Sequence, residues 1–281
     1  MVKEGVYMKY ADLHIHSSFS DGCLSPEEIV KEAKDKGIEY ISITDHDTIL
    51  SQYIIKQNIH GIKIIPGVEF SSEYKGTEIH ILGYYIDIEN ESLKELVKLL
   101  QELRIARSKE IVKKLKENNI FINIDDLLAE NNHVIGRGNI ACELIKKGYV
   151  KTYKEAFNKY LMKGRLAYVD GFKIDYKKIL KVIKDSKGIS VLAHPGKIYR
   201  NIQIESVIKD MKVYGLNGIE VYHSAHTKEQ INYLYNLSKK HKLIITGGSD
   251  FHSMNSNSSL LGSQGINKLL MEKLINYKLK Q

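Results

Sequence analysis

Short apolar runs alternate along the chain with longer segments whose apolar positions have helical spacing. The short runs are predicted as strands, at 11–16, 40–47, 62–70, 78–87, 189–196, 218–226 and 243–252. Segments with apolar residues three and four positions apart are predicted as helices, at 25–37, 176–188, 204–215 and 228–241. Repeated strand–helix units are typical of an α/β fold with a parallel sheet, open or closed. The number of such units here favours a barrel.

The first predicted helix carries clear signals at both of its ends. Ser25 is a suitable N-cap, Pro26 fits the first helical position, and Glu28 is placed to complete a capping box. Gly37 is expected to end the helix, since glycine is common directly after the last helical residue.

Residues 91–165 do not follow this alternation. Apolar residues at 93, 96, 97, 100 and 103, and again at 111, 112 and 115, predict one long amphipathic helix, with shorter helices after it. We interpret 91–165 as an all-helical insertion, or cap, between two parts of an α/β body, 1–90 and 166–281. That body is smaller than the roughly 250 residues of a typical (β/α)8 barrel. We therefore expect fewer strands or a distorted barrel.

Composition places the chain among ordinary globular proteins, with 281 residues, 43% hydrophobic and 27% charged. No segment resembles a signal peptide or a membrane helix, so we expect a cytoplasmic protein with no membrane partner. Two cysteines, Cys23 and Cys142, argue against a disulfide framework. No obligate protein partner is inferred.

The net charge of +8 is unevenly distributed, because residues 91–165 contain 16 Lys and Arg against 10 Asp and Glu. Such an excess favours polyanionic partners such as nucleotides or RNA. A lysine-rich composition shared by all proteins of the organism is the alternative explanation.

Polar side chains with metal-binding capacity recur at the ends of the predicted strands. They comprise six histidines and three carboxylates, His14, His16, Asp21, His46, Glu69, His80, His194, Asp250 and His252, with His223 at a further strand end. Parallel α/β folds build their sites at the carboxyl edge of the sheet. A single histidine in such a place is commonly structural, but this recurrence predicts a metal site, because buried imidazoles and carboxylates are costly without partners.

Imidazole and carboxylate ligands without thiolate suit manganese, zinc or iron. So many ligands exceed the coordination number of one ion, which indicates two or three divalent ions, with manganese as the first expectation. Closely spaced ions hold a bridging hydroxide that attacks phosphorus or a comparable centre in line. Such a site needs no protein nucleophile, and no convincing nucleophilic Ser or Cys motif is found in the sequence.

The chain resembles the polymerase-and-histidinol-phosphatase (PHP) family of metal-dependent phosphoesterases. The shared motifs are H-x-H at 14–16, SDG at 20–22, TDHD at 44–47, PGVE at 66–69, HILGY at 80–84, AHPG at 193–196 and GSDFH at 248–252. The resemblance implies a distorted (β/α)7 TIM-like barrel with up to three metals. It also implies that the six histidines and three carboxylates named above are the ligands.

Within that family, the helical segment is similar to a branch that acts on nucleoside 3′,5′-bisphosphates and on short RNA from its 5′ end. The resemblance implies that Arg137, in a Gly-Arg pair at a helix start, helps hold phosphate. This chain has GRGN where GRPH or GRPN is more usual, and Lys197 where arginine is common, so fine specificity is open. Arg165 is a further phosphate candidate, or a solvated surface residue. His223 is a candidate for substrate contact or protonation of the leaving oxygen, and the role of His226 is open.

These observations predict a phosphatase or exonuclease acting on nucleoside 3′,5′-bisphosphates or short 5′-phosphorylated oligoribonucleotides. The enzymatic alternative is histidinol-phosphate phosphatase, which would not need a basic insertion. A non-catalytic nucleic-acid-binding module and a hydrolase of carbon–nitrogen bonds are alternatives of other classes. The full ligand set argues against the first of these, and the basic residues argue against the second.

Overall fold

The computed structural model of the chain describes residues 10–55, 61–130, 135–171, 174–198, 202–252 and 260–281. Its strands are β1 (Ala11–Ile15), β2 (Tyr40–Ile43), β3 (Lys63–Ile64), β4 (Gly67–Tyr74), β5 (Thr77–Tyr84), β6 (Ile189–Leu192), β7 (Gly218–His223) and β8 (Ile244–Gly248). Its α-helices are α1 (Pro26–Asp35), α2 (Leu50–Ile55), α3 (Glu91–Lys116), α4 (Ile124–Glu130), α5 (Arg137–Lys146), α6 (Tyr153–Ala156), α7 (Tyr176–Asp185), α8 (Ile204–Val213), α9 (Lys228–Lys240) and α10 (Lys268–Lys278). A π-helical turn (Phe157–Leu161) continues α6, and a 3-10 turn (Pro195–Lys197) follows β6.

The strands form two sheets whose edges meet. Strands β1, β2 and β3 are parallel neighbours, while the second sheet has the order β4-β5-β6-β7-β8. Parallel bridges from Ile15 to Phe251 and from His46 to Glu69 join the two sheets. The last residue of β1 therefore lies beside the loop after β8, and the loop after β2 lies beside β4.

The second sheet is mixed, whereas repeated strand–helix units predicted a parallel one. Strand β5 pairs antiparallel with both β4 and β6, while β6, β7 and β8 are parallel. No helix separates β4 from β5, because Lys75 and Gly76 both have positive φ, 48° and 81°, and form a tight hairpin turn. The prediction of a wholly parallel sheet was wrong for this hairpin.

The predicted strand 62–70 is divided by a proline. Pro66 has no N–H for a sheet ladder, so β3 ends at Ile64 and pairs with β2, while β4 begins at Gly67 and pairs with β5. A Cβ at position 67 would lie 2.2 Å from Ser42 Oγ, which explains the need for glycine there. As a consequence, Glu69 lies near the start of a strand and not at the end of one.

The first helix forms as its end signals predicted. The Ser25 side chain accepts a hydrogen bond from the Glu28 N–H at 3.2 Å, and the Ser25 N–H donates to Glu28 Oε2 at 2.8 Å. This reciprocal pair satisfies two backbone donors that the first turn leaves without partners. Helix α1 then packs Ile29, Val30 and Ala33 against β2 and its neighbours.

Helix α3 crosses between two hydrophobic clusters. Its first half, with Leu93, Leu96 and Leu100, packs in the main core against strands β4 to β7 and helices α7 to α9. Its second half, with Ile111 and Leu115, packs in a separate cluster with α4, α5 and the π-helical turn. None of the described helices is both long enough and apolar enough to cross a lipid bilayer.

Candidate metal centre

A single buried carboxylate, Glu69, lies at the centre of the predicted ligands. It is fully buried, and its two oxygens face five imidazole rings. The nitrogens that face them at 2.8–3.3 Å are His14 Nε2, His16 Nε2, His46 Nδ1, His80 Nδ1 and His194 Nε2. The fold thus brings residues of β1, β4 and β5, together with residues that follow β1, β2 and β6, to one point.

Two further carboxylates face the same rings from other sides. Asp250 Oδ1 lies 3.2 Å from His16 Nε2 and 3.5 Å from His14 Nε2. Asp21 Oδ1 lies 3.3 Å from His252 Nε2 and 3.8 Å from His16 Nδ1. All the residues predicted as ligands are therefore in one cluster.

The cluster contains groups of ligand atoms that lie within 4.8 Å of one another. Three of these groups consist entirely of predicted ligands. They are His16, Asp21, His46 and His252; His14, His16, Glu69 and Asp250; and His46, Glu69 and His80. His16, His46 and Glu69 each belong to two of these groups, so neighbouring ions bound there would share ligands.

Several of these buried polar atoms make no hydrogen bond with the described residues. They are His14 Nε2, both ring nitrogens of His16, His46 Nδ1, Asp21 Oδ1 and Glu69 Oε2. Buried polar atoms without a partner cost free energy, and native structures contain few of them. Imidazole nitrogens and carboxylate oxygens that point at a common space suit a divalent cation, so the residues present fit the predicted metals.

The carboxylates of the cluster are held in their ionised form. Burial opposes ionisation of Glu69, but the surrounding histidines, His46 foremost, hold its pKa well below the usual range. Burial likewise opposes ionisation of Asp250, but Lys197 and His14 hold its pKa well below the usual range. These two carboxylates therefore offer negatively charged oxygens to a cation at neutral pH.

Three residues of the site have a backbone conformation that is uncommon for residues other than glycine. Asp47, His194 and Asp250 have φ values of 54°, 27° and 54°. Each lies in the segment that follows a strand, namely β2, β6 or β8, and its side chain contacts another residue of the site. Such strain is concentrated at functional sites, where surrounding contacts maintain it.

Glu220, a buried residue of β7, orients two of the predicted ligands, and sequence reasoning missed it. Its Oε1 lies 3.0 Å from His14 Nδ1, and its Oε2 accepts the His194 N–H at 2.7 Å. The facing histidines, His14 foremost, overcome the effect of burial and lower the pKa of Glu220 to about 2. An acid within the apolar run GIEVYH was the available signal, because a buried strand has little reason to contain a carboxylate.

The two aspartates beside His46 hold neighbouring segments in place. Asp45 accepts hydrogen bonds from the Ser17 N–H, the Ser17 hydroxyl and the Ser20 hydroxyl at 2.6–2.7 Å, and so fixes the loop after β1. Asp47 accepts from the Ser71 N–H and hydroxyl, both at 2.8 Å. Both carboxylates are fully buried, and they set the positions of Asp21 and Glu69 through these loops and strands.

Three arginines line the cavity that opens onto the cluster, which has a volume of about 1130 Å³. Arg104 donates from Nε to Asp47 Oδ2 at 2.5 Å and from Nη2 to Ser71 Oγ at 2.9 Å. Arg107 donates to the Val169 carbonyl. Sequence reasoning missed Arg104 and Arg107, because charged positions on a long amphipathic helix are usually solvated; only the tertiary structure turns this stretch of α3 toward the site.

Arg137 also lines this cavity, as the first residue of α5. Its Nη2 donates to Glu78 Oε1 at 3.1 Å, and its guanidinium lies 5.9 Å from the Phe157 ring centre. The next residue packs closely on the cluster, since a Cβ at Gly138 would lie 2.6 Å from Asp21 Oδ2. The second glycine of GRGN is therefore explained by how near α5 lies to the predicted ligands.

The remaining predicted substrate residues divide between the site and the surface. Lys197 Nζ lies 2.6 Å from Asp250 Oδ2, and the buried His223 Nε2 lies 3.1 Å from the same oxygen. Arg165 is not brought to this cavity and instead lines an open groove beside α6. The structure therefore places Lys197 and His223 at the centre and Arg165 away from it.

His226 has a local structural contact on each ring nitrogen. Its Nδ1 donates to the Val221 carbonyl at 2.9 Å, and its Nε2 accepts the Gly196 N–H at 3.1 Å. Burial, the largest effect, lowers its pKa. The neutral ring thus supports the turn that follows His194.

Comparisons with known proteins agree with this geometry. The PHP domain family matches residues 12–250. The chain is 33% identical over 247 residues to a protein of Haemophilus influenzae named 5′-3′ exoribonuclease, covering 87% of this chain and 90% of the relative. It is 30% identical over 251 residues to a 3′,5′-nucleoside bisphosphate phosphatase of Chromobacterium violaceum, covering 88% of each.

A solved structure from Bifidobacterium adolescentis, described as a candidate metal-dependent phosphoesterase, has a TM-score of 0.88 to this chain at 26% identity and covers 95% of both chains. The matched family spans the strands that supply the histidine and carboxylate cluster. On these grounds, this chain belongs to the PHP domain family.

Proposed function

We propose that this enzyme, a metal-dependent hydrolase, cleaves phosphate esters of nucleoside 3′,5′-bisphosphates and of short 5′-phosphorylated oligoribonucleotides. The single observation that carries the proposal is the juxtaposition, in one cavity, of the Glu69-centred cluster and the arginines of α3 and α5. The relatives from Haemophilus influenzae and Chromobacterium violaceum support this substrate class, because their names specify a 5′-3′ exoribonuclease and a 3′,5′-nucleoside bisphosphate phosphatase.

The predicted ligands would hold two or three divalent ions, with manganese as the expected metal. The residues proposed to hold them are His14, His16, Asp21, His46, Glu69, His80, His194, Asp250 and His252. When bound, the ions supply an activated water and positive charge for the phosphoryl oxygens. Glu220 would keep His14 oriented with Nε2 toward the centre, since it holds Nδ1 on the opposite side of the ring.

The arginines supply the means to bind a phosphate away from the cluster. Arg137 lies at the amino end of the ten-residue helix α5, where backbone N–H groups and a guanidinium together favour an anion. Arg104 lies between Asp47 and Ser71, which orient its guanidinium. A substrate with two phosphates, one at the cluster and one at these arginines, satisfies both ends of the cavity.

Lys197 and His223 contact the same oxygen of Asp250. We propose that Lys197 neutralises charge on a phosphoryl oxygen and that His223 stabilises or protonates the leaving oxygen. Both residues would act alongside the bound ions, and the reaction would need no nucleophilic side chain of the protein. Each role places a positive or proton-donating group where negative charge develops during phosphoryl transfer.

We also propose that the two sheets close as a distorted barrel, with residues 91–165 as a helical cap. The bridges between Ile15 and Phe251 and between His46 and Glu69 support closure of the barrel. The separate hydrophobic cluster of α3, α4 and α5 supports the cap. In this arrangement the cap supplies Arg104 and Arg137, while the barrel supplies the metal ligands.

The test measures phosphate release from adenosine 3′,5′-bisphosphate, histidinol phosphate and a 5′-phosphorylated trinucleotide, with manganese and after chelation. We expect turnover of the first and third substrates only, and only with metal. Arg137→Ala should lower kcat/KM for these two by roughly 10- to 100-fold while affecting a simple aryl phosphate far less. Equal losses on all substrates would contradict the phosphate role of Arg137, and preferential turnover of histidinol phosphate would overturn the substrate assignment.

A further inference from the structure

We call the cavity that opens onto the Glu69-centred cluster the catalytic cavity. A second basic surface lies beside it, on the other side of a short helical wall. The wall is formed by α6 and the π-helical turn that continues it. Tyr153 and Phe157 line the catalytic cavity. The opposite side of the wall borders an open groove of about 540 Å³, lined by Thr152, Lys154, Glu155, Asn158, Lys159 and Arg165. We call this surface the lateral groove.

The lateral groove and the catalytic cavity share one lining residue, Thr152. The preceding Lys151 lines the cavity. Lys151 and Thr152 are both exposed, so a flexible chain leaving the cavity past Thr152 would reach the groove along the protein surface. The shared residue distinguishes the groove from a basic patch elsewhere on the surface.

The groove carries three cations that make no ion pair with the described residues, Lys154, Lys159 and Arg165, and all three are exposed. Among the described residues that line it, the one carboxylate is Glu155, which accepts the Lys151 backbone N–H at 2.8 Å and also attracts Lys159. By contrast, many exposed lysines of other helices pair with carboxylates, such as Lys181 with Asp185. The groove therefore presents a net positive surface that is available to an anionic partner.

The wall also presents aromatic rings to the cavity. The Tyr153 and Phe157 ring centres are 4.9 Å apart, and Tyr153 keeps 44% of its surface exposed. Aromatic rings beside a positive channel are the elements by which proteins bind single-stranded nucleic acids without reading their sequence. Bases can stack on the rings while phosphates follow the cations.

We propose that the lateral groove binds the downstream backbone of a single-stranded RNA whose 5′ end occupies the catalytic cavity. This inference rests on the proposed function. It extends that function, because binding in the groove would make the enzyme favour oligonucleotides that are longer than the substrate that fills the cavity. A nucleoside 3′,5′-bisphosphate has no backbone beyond its 3′-phosphate and therefore gains nothing from the groove. A longer strand gains electrostatic contacts at Lys154 and Lys159 that depend on salt.

The test compares the wild-type enzyme with the double variant Lys154→Ala, Lys159→Ala. The matched control is Lys98→Ala, Lys184→Ala, which removes two exposed helical lysines that border neither the cavity nor the groove. Each metal-loaded protein is assayed with adenosine 3′,5′-bisphosphate and with a 5′-phosphorylated octaribonucleotide. Binding is measured in parallel by fluorescence anisotropy of a phosphorothioate octaribonucleotide labelled at its 3′ end.

For the groove variant we expect KM and Kd for the octanucleotide to rise roughly 5-fold at low salt. The slope of log Kd against log salt should become shallower by about 1.4, since each lost phosphate contact on a single strand contributes about 0.7. The kcat/KM for the bisphosphate should stay within about twofold of wild type. The control variant should match wild type in every measurement.

Two results would overturn the groove proposal while leaving the proposed function intact. One is an unchanged octanucleotide Kd in the groove variant, and the other is an equal rise in Kd in the control variant. If wild type hydrolyses neither substrate, the proposed function fails, and the anisotropy comparison still decides whether the groove binds RNA.

Discussion

Glu69 and Glu220 are both fully buried carboxylates, but they face His14 from opposite sides of its ring. Glu69 Oε2 lies 3.2 Å from His14 Nε2, on the side of the ring that faces the cluster. Glu220 Oε1 lies 3.0 Å from His14 Nδ1, on the side that faces away from it. Outer carboxylates of this kind fix the tautomer and orientation of a metal-binding imidazole. Glu220 is thus a positioning residue whose effect should be visible in metal affinity.

Glu220→Gln retains the size of the side chain but removes its charge. We expect the Mn²⁺ affinity to fall by roughly 10- to 100-fold, because His14 loses its orienting partner. Isothermal titration with Mn²⁺ measures the affinity, and circular dichroism checks the fold. The exposed residue Glu229 provides the control Glu229→Gln, and an affinity equal to that of the control would contradict the role of Glu220.

The pair of Asp47 and Arg104 is a buried ion pair, with Asp47 fully buried and the Arg104 side chain 14% exposed. Arg104→Met should lower the free energy of unfolding by about 3–5 kcal/mol, because it leaves the Asp47 charge buried without its partner. The double variant Asp47→Asn, Arg104→Met should recover part of this loss, as measured by urea unfolding. Equal stability of the single and double variants would show that the unpaired charge is not the cause.

At the scale of elements, α3 carries one amphipathic stripe into two different packing environments. Leu100 is buried against the strands and α7, whereas Leu115 is buried against α4 and α5. Between these two residues, Arg104 and Arg107 face the cavity. One helix thus connects the cluster at the strands with the basic residues of the helical segment.

Leu100→Ala and Leu115→Ala form a matched pair, because both side chains are fully buried in the same helix. Each should cost about 2–5 kcal/mol in local or global stability. Hydrogen exchange should speed up in β5 and α7 for Leu100→Ala, but mainly in α4 and α5 for Leu115→Ala. Identical exchange patterns would contradict the proposal that the second half of α3 packs with α4 and α5 separately from the main core.

At the scale of the whole molecule, the cluster brings together strands from both sheets, so an ion bound there links segments distant in sequence. Ligand binding to the folded state stabilises it by about 2.7 kcal/mol when the free ligand is at 100 times Kd. Metal occupancy should therefore affect stability as well as turnover. The ligand oxygens of Glu69 and Asp250 lie within 4.8 Å of each other, so a bound cation would also offset the repulsion between these two carboxylates.

Addition of Mn²⁺ to the chelated protein should raise the melting temperature by at least about 5 °C. Differential scanning fluorimetry at a fixed pH measures the shift. Glu69→Gln should abolish most of it, because Glu69 lies within 3.3 Å of five histidines. A wild-type melting temperature that does not respond to Mn²⁺ would contradict a metal centre at this cluster.

The chemistry of the centre was largely predictable from the sequence. Histidines and carboxylates placed at or near strand ends must meet if the strands share an edge, and periodicity alone identified most of those strands. The helix signals of Ser25, Pro26 and Glu28 were equally reliable, because capping depends on residues adjacent in the chain. The sequence by itself determined the features that depend on local spacing and on side-chain chemistry.

Other features depended on contacts between segments that are far apart in the sequence. The antiparallel direction of β5 followed from the tight turn at Lys75 and Gly76, and the role of Glu220 followed from its contact with His14, 206 positions away. Likewise, Arg104 entered the site and Arg165 did not because of how α3 and the π-helical turn pack, which no local pattern records. Tertiary structure decided these points, since burial and long-range pairing determine which of many charged side chains face a common cavity.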